Sequence, residues 1–548
     1  MASRFWTIIA GVTLGYLALV VRLYDLQLVR GEHFLARAQS QYRAAVALDA
    51  PRGLIYFTGK DGTRFPVALN KEFPVIYAAP KAIEDAEEAA HTLAGTLPFS
   101  ADELRAKFSQ PNSLYQLLVK RADEAVVQAV EDLNVKGIYA DTMPGRYYPN
   151  GALGAQVVGF VGPGGGEGER GNYGIEKFYD GELRGTAGTS VNGTFIAPQA
   201  GSDAVLTLDP TVQFEAERTL KDLVANYRAQ GGTVIVEEPK TGKVLAMASF
   251  PAFDPNSYGR FPLENLANPA VQKIYEPGSV LKVITMVSAV DAGAVTPETT
   301  YTDRGMLTMN GYTIKNFDYD VRGGHGKVSM EYVLKHSLNT GAVFVEQKLG
   351  NAAFLEYLKR FGLAEKTGIT LPGELKGSVR PLLERGVRDI AFATASYGQG
   401  VAVTPLGLVQ AVGAIANGGN LMRPYLDARL EPQVVRRVVS ESAAKQVTQM
   451  MVAAVDTAAV AGVSGYAIAG KTGTAFVPDF KKGGYTDNVI NTYVGFGPAT
   501  APRFIILIKL DQPPDAPLAG FSVVPSFQNL AQFLLNYYNI PPDRLEKQ

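Results

Sequence analysis

The chain opens on an uncharged, mainly apolar run from Phe5 to Val21. At roughly 17 residues it has the short end of a membrane-spanning length. Trp6, the only tryptophan, stands at its edge, where an interfacial aromatic belongs. Arg4 and Arg22 flank the run. The pattern predicts one transmembrane helix over 5–21 behind a short cytoplasmic tail, 1–4. The rival is a cleaved signal peptide. Its nearest Ala-x-Ala sites, Ala36–Ala38 and Ala45–Ala47, lie well past the apolar run, which favours an uncleaved anchor. Residues 23 to about 45 continue as amphipathic helical text, with Leu23, Leu26, Phe34, Leu35 and Ala38 as the apolar positions. From Pro51 to Ile55 the text turns strand-like. Residues 60–200 mix short strands, turns and charged helices such as 82–97. The glycine-rich stretch Gly162–Gly174 predicts a loop.

A different pattern starts at Asp203. Ala204–Leu208 reads as a strand. Asp209-Pro210-Thr211 then opens a helix running to about Arg228. Residues 232–237 and 244–249 flank the turn Pro239-Lys240-Thr241-Gly242 and predict a β-hairpin. Helical text follows Ser279, Glu331 and Val403. Strands return at 467–470, 492–496 and 504–510, and an amphipathic helix covers Asn529–Tyr538. Strands, a helical block and strands again predict an α+β domain over 203–540, its sheet closed by elements from both ends. Residues 541–548 remain as a tail.

At 548 residues the chain has length for more than one domain. A net charge of −1 argues against a nucleic-acid partner held by bulk charge. There are no cysteines, so disulfides and thiolate metal sites are excluded. The four histidines, His33, His91, His325 and His336, form no zinc-binding pair. Neither a metal nor a cofactor is called for.

The candidate chemistry begins at Tyr275-Glu276-Pro277-Gly278-Ser279-Val280-Leu281-Lys282. Pro277 and Gly278 punctuate the chain before a buried helix, with Ser279 at its N-terminal end. Lys282 follows one turn later on the same face. A serine hydroxyl needs a base to become a nucleophile, and a lysine kept partly neutral by burial is one. Ser-x-x-Lys alone is weak, since a chain of this length carries roughly two by chance. The other copy, Ser442–Lys445, sits in charged text that reads as a solvated helix face. Two further motifs follow Ser279 in order: Ser337-Leu338-Asn339, and Lys471-Thr472-Gly473-Thr474 after strand text. Lys240–Gly242 and Lys366–Gly368 repeat Lys-Thr-Gly without a hydroxyl in fourth place. Ser190-Val191-Asn192 precedes the nucleophile in polar loop text. These three read as turns or loops.

The ordered set suits acyl transfer. Ser337 is placed to relay a proton between Lys282 and a leaving amine. Asn339 offers a donor and an acceptor to a substrate amide. Lys471 adds positive charge that helps hold Lys282 neutral. Thr472 and Thr474 can hydrogen-bond a carboxylate, and the N–H groups of Ser279 and Thr474 can form an oxyanion hole. A Ser-His-Asp triad fails for want of a Gly-x-Ser-x-Gly elbow. His336 reads as a packed or surface residue rather than a base.

Ser-x-x-Lys, Ser-x-Asn and Lys-Thr-Gly in this order are the motif set of penicillin-recognising serine acyl-enzymes. With Arg146–Pro149, Gly174–Lys177, Leu183–Gly185, Leu206–Asp209, Phe253–Asn256 and Gly398–Gly400 before Thr404-Pro405, the chain resembles a class B penicillin-binding protein. The resemblance covers nearly all of it. It implies a penicillin-binding, serine β-lactamase-like transpeptidase domain, an antiparallel sheet plus a helical subdomain. That domain would stand on an elongated non-catalytic pedestal of the dimerisation type over 22–202. It implies a single-pass protein of the bacterial cytoplasmic membrane, with its catalytic domain outside. The implied activity is a D,D-transpeptidase acting on the D-Ala-D-Ala end of peptidoglycan stem peptides and acylated by β-lactams. Implied partners are a polytopic glycosyltransferase of the shape, elongation, division and sporulation family, and other divisome proteins. Asn310–Asn316 and Ala395–Gly400 resemble the division (septal) branch more than the elongation branch. One departure lies at Tyr56–Gly62, where the family usually continues Asp-Arg-Asn/Asp-Gly. Rivals are a β-lactamase or D,D-carboxypeptidase, which send the acyl group to water, and a non-catalytic β-lactam sensor or scaffold. No carboxylate is recognisably placed for deacylation. A sensor would be expected to carry several spans and a cytoplasmic effector.

Overall fold

A computed structural model describes residues 2–25, 50–110, 113–164, 168–191, 194–458, 460–479 and 481–544. The predicted helix over 23–45 lies, from residue 26 on, outside the described residues. So do Asn192 of the Ser190–Asn192 motif and the last four residues of the tail. Ala2–Tyr24 forms one helix. The side chains of residues 2–8 and 10 are outside the described set, whereas Val12, Leu14, Leu17, Leu19 and Val21 are exposed. Among the described residues no helix is long and apolar enough to cross a membrane.

The chain divides into two compact units. One comprises Met1–Leu54, Leu69–Tyr147 and Gly181–Ser202. Here Leu69–Ala78 pairs antiparallel with Ile138–Tyr147, and Val75–Ala78 also with Gln116–Lys120. Helices Ala86–Leu93, Ala101–Phe108 and Glu124–Leu133 belong to this unit, and Ile76, Leu93, Leu104, Phe108 and Leu118 form its core. The first helix is shorter than the expected 82–97. Asp85 caps its start through the N–H groups of Glu87 and Glu88.

The other unit comprises Ile55–Ala68, Tyr148–Asp180 and Asp203–Gln548. Of the expected loop Gly162–Gly174, residues 165–167 lie outside the described residues; on either side of them Phe160–Pro163 pairs with Glu169–Asn172, and helix Gly174–Phe178 follows. Its glycines suit close packing: a Cβ on Gly162 would meet Tyr258 Oη at 2.8 Å, and the Tyr258 ring stacks on Phe160 at 4.0 Å. The expected strand 204–208 shortens to Ala204–Val205. Beyond it the chain is bridged to Asp427, and Thr207 donates its hydroxyl to Val244 O.

From there the elements run as α1 (Pro210–Tyr227), β1 (Gly231–Glu238), β2 (Lys243–Phe250), α2 (Leu281–Asp291), α3 (Met330–Lys335), α4 (Asn339–Leu349), α5 (Pro405–Ala416), α6 (Glu441–Ala458), β3 (Ala469–Pro478), β4 (Tyr485–Gly497), β5 (Phe504–Asp511) and α7 (Val523–Tyr537). Asp209 caps α1, as its place before Pro210 predicts. The five strands form one antiparallel sheet in the order β2-β1-β5-β4-β3. Its outer strands thus come from both ends of the domain, as expected. Period-two alternation splits β1 and β5. Val234, Val236, Ile506 and Ile508 join a core with Leu220 of α1 and Phe527, Leu530 and Leu534 of α7. α5 covers the other face. α7 starts six residues before the expected Asn529.

Every residue of α2 from Leu281 to Val290 is buried. A helix apolar around most of its surface belongs inside a helical block, and α4, α5 and α6 pack around it. β3 is the sheet edge that meets the turn preceding α2.

Phe527 is fully buried and packs against Tyr493, where Gly495 leaves no room for a Cβ. Phe527→Ala should cost about 3–5 kcal/mol, read as a lowered midpoint in urea unfolding followed by circular dichroism. A loss under about 1 kcal/mol would contradict this account of the core.

Candidate active site

The segment before α2 is held at both ends. Tyr275 exchanges two backbone hydrogen bonds with Val403. Gly278–Val280 then forms a tight helical turn that runs into α2. Ser279 is half-buried on this turn, and among the described residues its hydroxyl makes no hydrogen bond. Lys282, one turn on, is 2% exposed.

Ser337 and Asn339 come from the bend between α3 and α4. Ser337 has φ +55°, a left-handed conformation that a non-glycine residue holds only when its surroundings demand it. Asn339 is the first residue of α4. Lys471 is buried on β3. The glycine of its motif is a steric requirement. A Cβ on Gly473 would lie 2.5 Å from Pro277 O, so only glycine lets the edge strand press against the turn that carries Ser279. Gly398, at φ +91°, makes the same close approach to Gly278 O.

These residues converge. The Lys282 amine donates to Asn339 Oδ1 at 2.7 Å, to Ser337 Oγ at 3.2 Å and to Ser337 O. The Lys471 amine donates to the same Ser337 Oγ at 2.9 Å, and to Thr472 O and Thr472 Oγ1. One hydroxyl therefore lies between two buried amines. Burial, and then the positive charge of Lys471, hold Lys282 well below the ordinary lysine range. Burial brings Lys471 down to about 7. Of the three oxygens around Lys282, two are carbonyl-type and accept only. Ser337 Oγ alone can also donate. When Lys282 is neutral, its lone pair can take a proton from this hydroxyl or from an approaching nucleophile.

Two of the expected binding groups already have partners within the fold. Asn339 is not wholly open to a substrate. Its Oδ1 is taken by Lys282, and its amide donates to Lys315 O at 2.8 Å, leaving one N–H. Thr474 turns its hydroxyl into the fold. The amide of Asn491 is fixed by Ala516 O and Ser522 Oγ, so its Oδ1 faces Thr474 and accepts at 3.2 Å. Thr474 Oγ1 in turn accepts from Ala519 N. Thr472 keeps its hydroxyl beside Lys471. His336 is exposed and stacks on Tyr332 at 3.9 Å, as a surface residue would. The side chain of His325 is buried with Nδ1 at 3.1 Å from Tyr332 Oη. The other Ser-x-x-Lys pair, Ser442 and Lys445, is exposed on α6. Thr367 binds Glu374 through its N–H and hydroxyl.

Sequence reasoning missed Glu276, three residues before Ser279. It accepts from Gly400 N and from the Tyr485 hydroxyl, both at 2.9 Å. Burial raises its pKa against those two hydrogen bonds.

Comparison with known proteins gives the family of the chain. Residues 232–531 match the family described as penicillin binding protein transpeptidase domain, and residues 47–194 match the penicillin-binding protein dimerisation domain. The chain is 30% identical to stage V sporulation protein D of Bacillus subtilis, over 91% of this chain and 80% of that one. It is 29% identical to the peptidoglycan D,D-transpeptidase FtsI of Escherichia coli K12, over 99% and 93%. Penicillin-binding protein 3 of Mycobacterium tuberculosis in complex with aztreonam superposes with a TM-score of 0.70 at 28% identity, covering 90% of this chain and 98% of that one. With one family match spanning more than half of its length and relatives aligned along nearly all of it, the chain belongs to the class B penicillin-binding proteins, the family of peptidoglycan D,D-transpeptidases.

Proposed function

We propose that this transpeptidase works through an acyl-enzyme on Ser279, with neutral Lys282 as the general base. The carrying observation is the unbroken contact Lys282–Ser337–Lys471 around the nucleophile turn. Ser279 Oγ attacks the carbonyl of the penultimate D-Ala and gives its proton to Lys282. The N–H groups of Ser279 and Thr474 stabilise the oxyanion, at about 3 kcal/mol per donor. As the intermediate collapses, Lys282 returns the proton through Ser337 to the departing D-Ala amine. An amine of a second stem peptide then attacks the ester, releases Ser279 and leaves a cross-link. The edge of β3, with Thr472 and Gly473, takes the donor peptide, and the remaining N–H of Asn339 reaches its amide. A β-lactam enters by the same attack and stays on Ser279.

Further readings extend this one. Residues 203–540 serve as the transpeptidase domain and 22–202 as the pedestal. Phe5–Val21 anchors the chain in the cytoplasmic membrane with the catalytic domain outside, a reading supported by its uncharged apolar text and helical form. The text of Asn310–Asn316 and Ala395–Gly400 favours septal wall synthesis, beside a polytopic glycosyltransferase and divisome proteins.

A fluorescent penicillin should label wild type covalently and stably, and should not label Ser279→Ala. Absence of an adduct on folded wild type would refute the acyl-enzyme. Rapid penicillin turnover would move the reading to a β-lactamase or carboxypeptidase. Lys282→Ala should slow acylation by about 10²–10⁴-fold, measured by stopped-flow quenching.

The pH profile carries a sign. Acylation needs neutral Lys282, so its rate should rise through a pKa well below the ordinary lysine range. Lys471→Ala removes a neighbouring positive charge, so Lys282 should hold its proton more tightly and the rising limb should move to higher pH. A limb that stays in place or moves down would contradict the repulsion.

A further inference from the structure

We infer that Asp303 is a positioning residue for Asn339 and, through Asn339, for the Lys282 amine. The inference rests on the acyl-transfer reading of the site. Asp303 ends the short strand Thr300–Asp303 and is 2% exposed. No ordered spacing in the sequence connects it with Ser279, Ser337 or Lys471.

Its carboxylate is saturated with donors. Oδ1 accepts from the Thr340 hydroxyl at 2.6 Å, from the Tyr301 hydroxyl at 3.1 Å, and from Gly305 N and Asn316 Nδ2 at 3.2 Å. Oδ2 accepts from His325 N at 2.9 Å and from Asn316 Nδ2 at 3.1 Å. A carboxylate buried without a cation is costly unless donors replace its water, and here dipoles from several elements do so. Burial raises its pKa, and the Thr340, His325 and Gly305 hydrogen bonds more than offset that, leaving it below the usual carboxylate range. Asp303 is therefore a fixed negative hub at neutral pH. Among the described residues, Tyr301 is the ionisable side chain hydrogen-bonded to it, and His325 reaches it through its backbone N–H.

Two of the bound donors bracket Asn339. Thr340 is its successor in α4. The Thr340 hydroxyl has one proton and three oxygens in reach, Asp303 Oδ1 at 2.6 Å, Asn316 Oδ1 at 2.9 Å and Tyr301 Oη at 3.3 Å. The charged, nearest partner takes it. Asn316 Oδ1 also receives the Thr340 N–H at 3.1 Å. On the other side, Asn316 follows Lys315, whose carbonyl accepts the Asn339 amide. Asp303 thus fixes both the backbone that carries Asn339 and the carbonyl that orients its amide plane. That plane aims Oδ1 at Lys282. Loosening the hub swings Oδ1 away. The amine then loses both its aim and one acceptor that favours the ammonium, so its pKa falls further.

The test compares wild type with Asp303→Asn, Thr340→Val and Thr340→Ser. Asp303→Asn and Thr340→Val should lower the plateau acylation rate by about tenfold to a hundredfold, counted per acylatable molecule. Both should move the rising limb of the pH profile to lower pH. Thr340→Ser, which keeps the hydroxyl, should restore rate and limb. In ¹H–¹⁵N spectra, the Asn339 side-chain amide should lose its hydrogen-bonded shift in the first two variants and keep it in the third. A merely structural Asp303 would lower the acylatable fraction and leave the per-molecule plateau, limb and Asn339 signal unchanged. That result overturns the inference. Should Asp303→Asn fail to fold, Thr340→Val decides by the same readings. Should wild type prove not to be acylated at Ser279, the proposed function falls, and the Asn339 signal still decides whether Asp303 holds it.

Discussion

Two lysine amines are buried around a single hydroxyl, and the rest of the site depends on that. Taking one ammonium out of water is expensive, and two adjacent ones repel. The structure meets this cost by lowering the proton affinity of both and by ringing each with oxygens. In the proposed mechanism the same arrangement that burdens the fold supplies the base. A lysine is useless for that work at its ordinary pKa. It becomes useful where burial and a like charge make the neutral form common at working pH.

Geometry follows from this electrostatic core. Ser279 and Lys282 share one turn of a buried helix, so their separation is set locally by the helix. Ser337, Asn339 and Lys471 come from far along the chain and need long-range fixing. Close backbone contact at Gly473 and Gly398 presses the edge strand and the Gly398 turn against the turn that carries Ser279. The strained backbone at Ser337 turns its hydroxyl between the amines. Strain of this kind is retained where a precise side-chain direction is worth more than local stability.

Much of this was legible in the sequence, for identifiable reasons. α1 and the β1–β2 hairpin carry strong local signals, Asp209-Pro210 and a Lys-Thr-Gly turn between apolar runs. Their limits match the expectation closely. The three motifs were legible because chemistry restricts their residue types and the fold's connectivity sets their order along the chain. Other features were not. Gly162–Gly174 reads as a loop because glycines lack strand propensity, yet here they suit close packing of a hairpin against an aromatic stack. The inward turn of Thr474 depends on Asn491, whose orientation is set by Ala516 and Ser522. The Asp303 hub joins residues whose spacing matches no motif. Hydrogen-bond partners settled by tertiary structure leave little trace in a linear pattern.

The most direct test of the central claim is the titration of the lysine side chains themselves. In protein labelled with ¹³Cε-lysine, with Lys282 assigned through Lys282→Arg, the account predicts that the Lys282 resonance titrates far below the bulk of the lysines, with Lys471 a second low-titrating signal. If Lys282 instead titrates with the surface lysines near pH 10 or above, it is an ordinary ammonium at working pH, and the base assigned to this site is wrong.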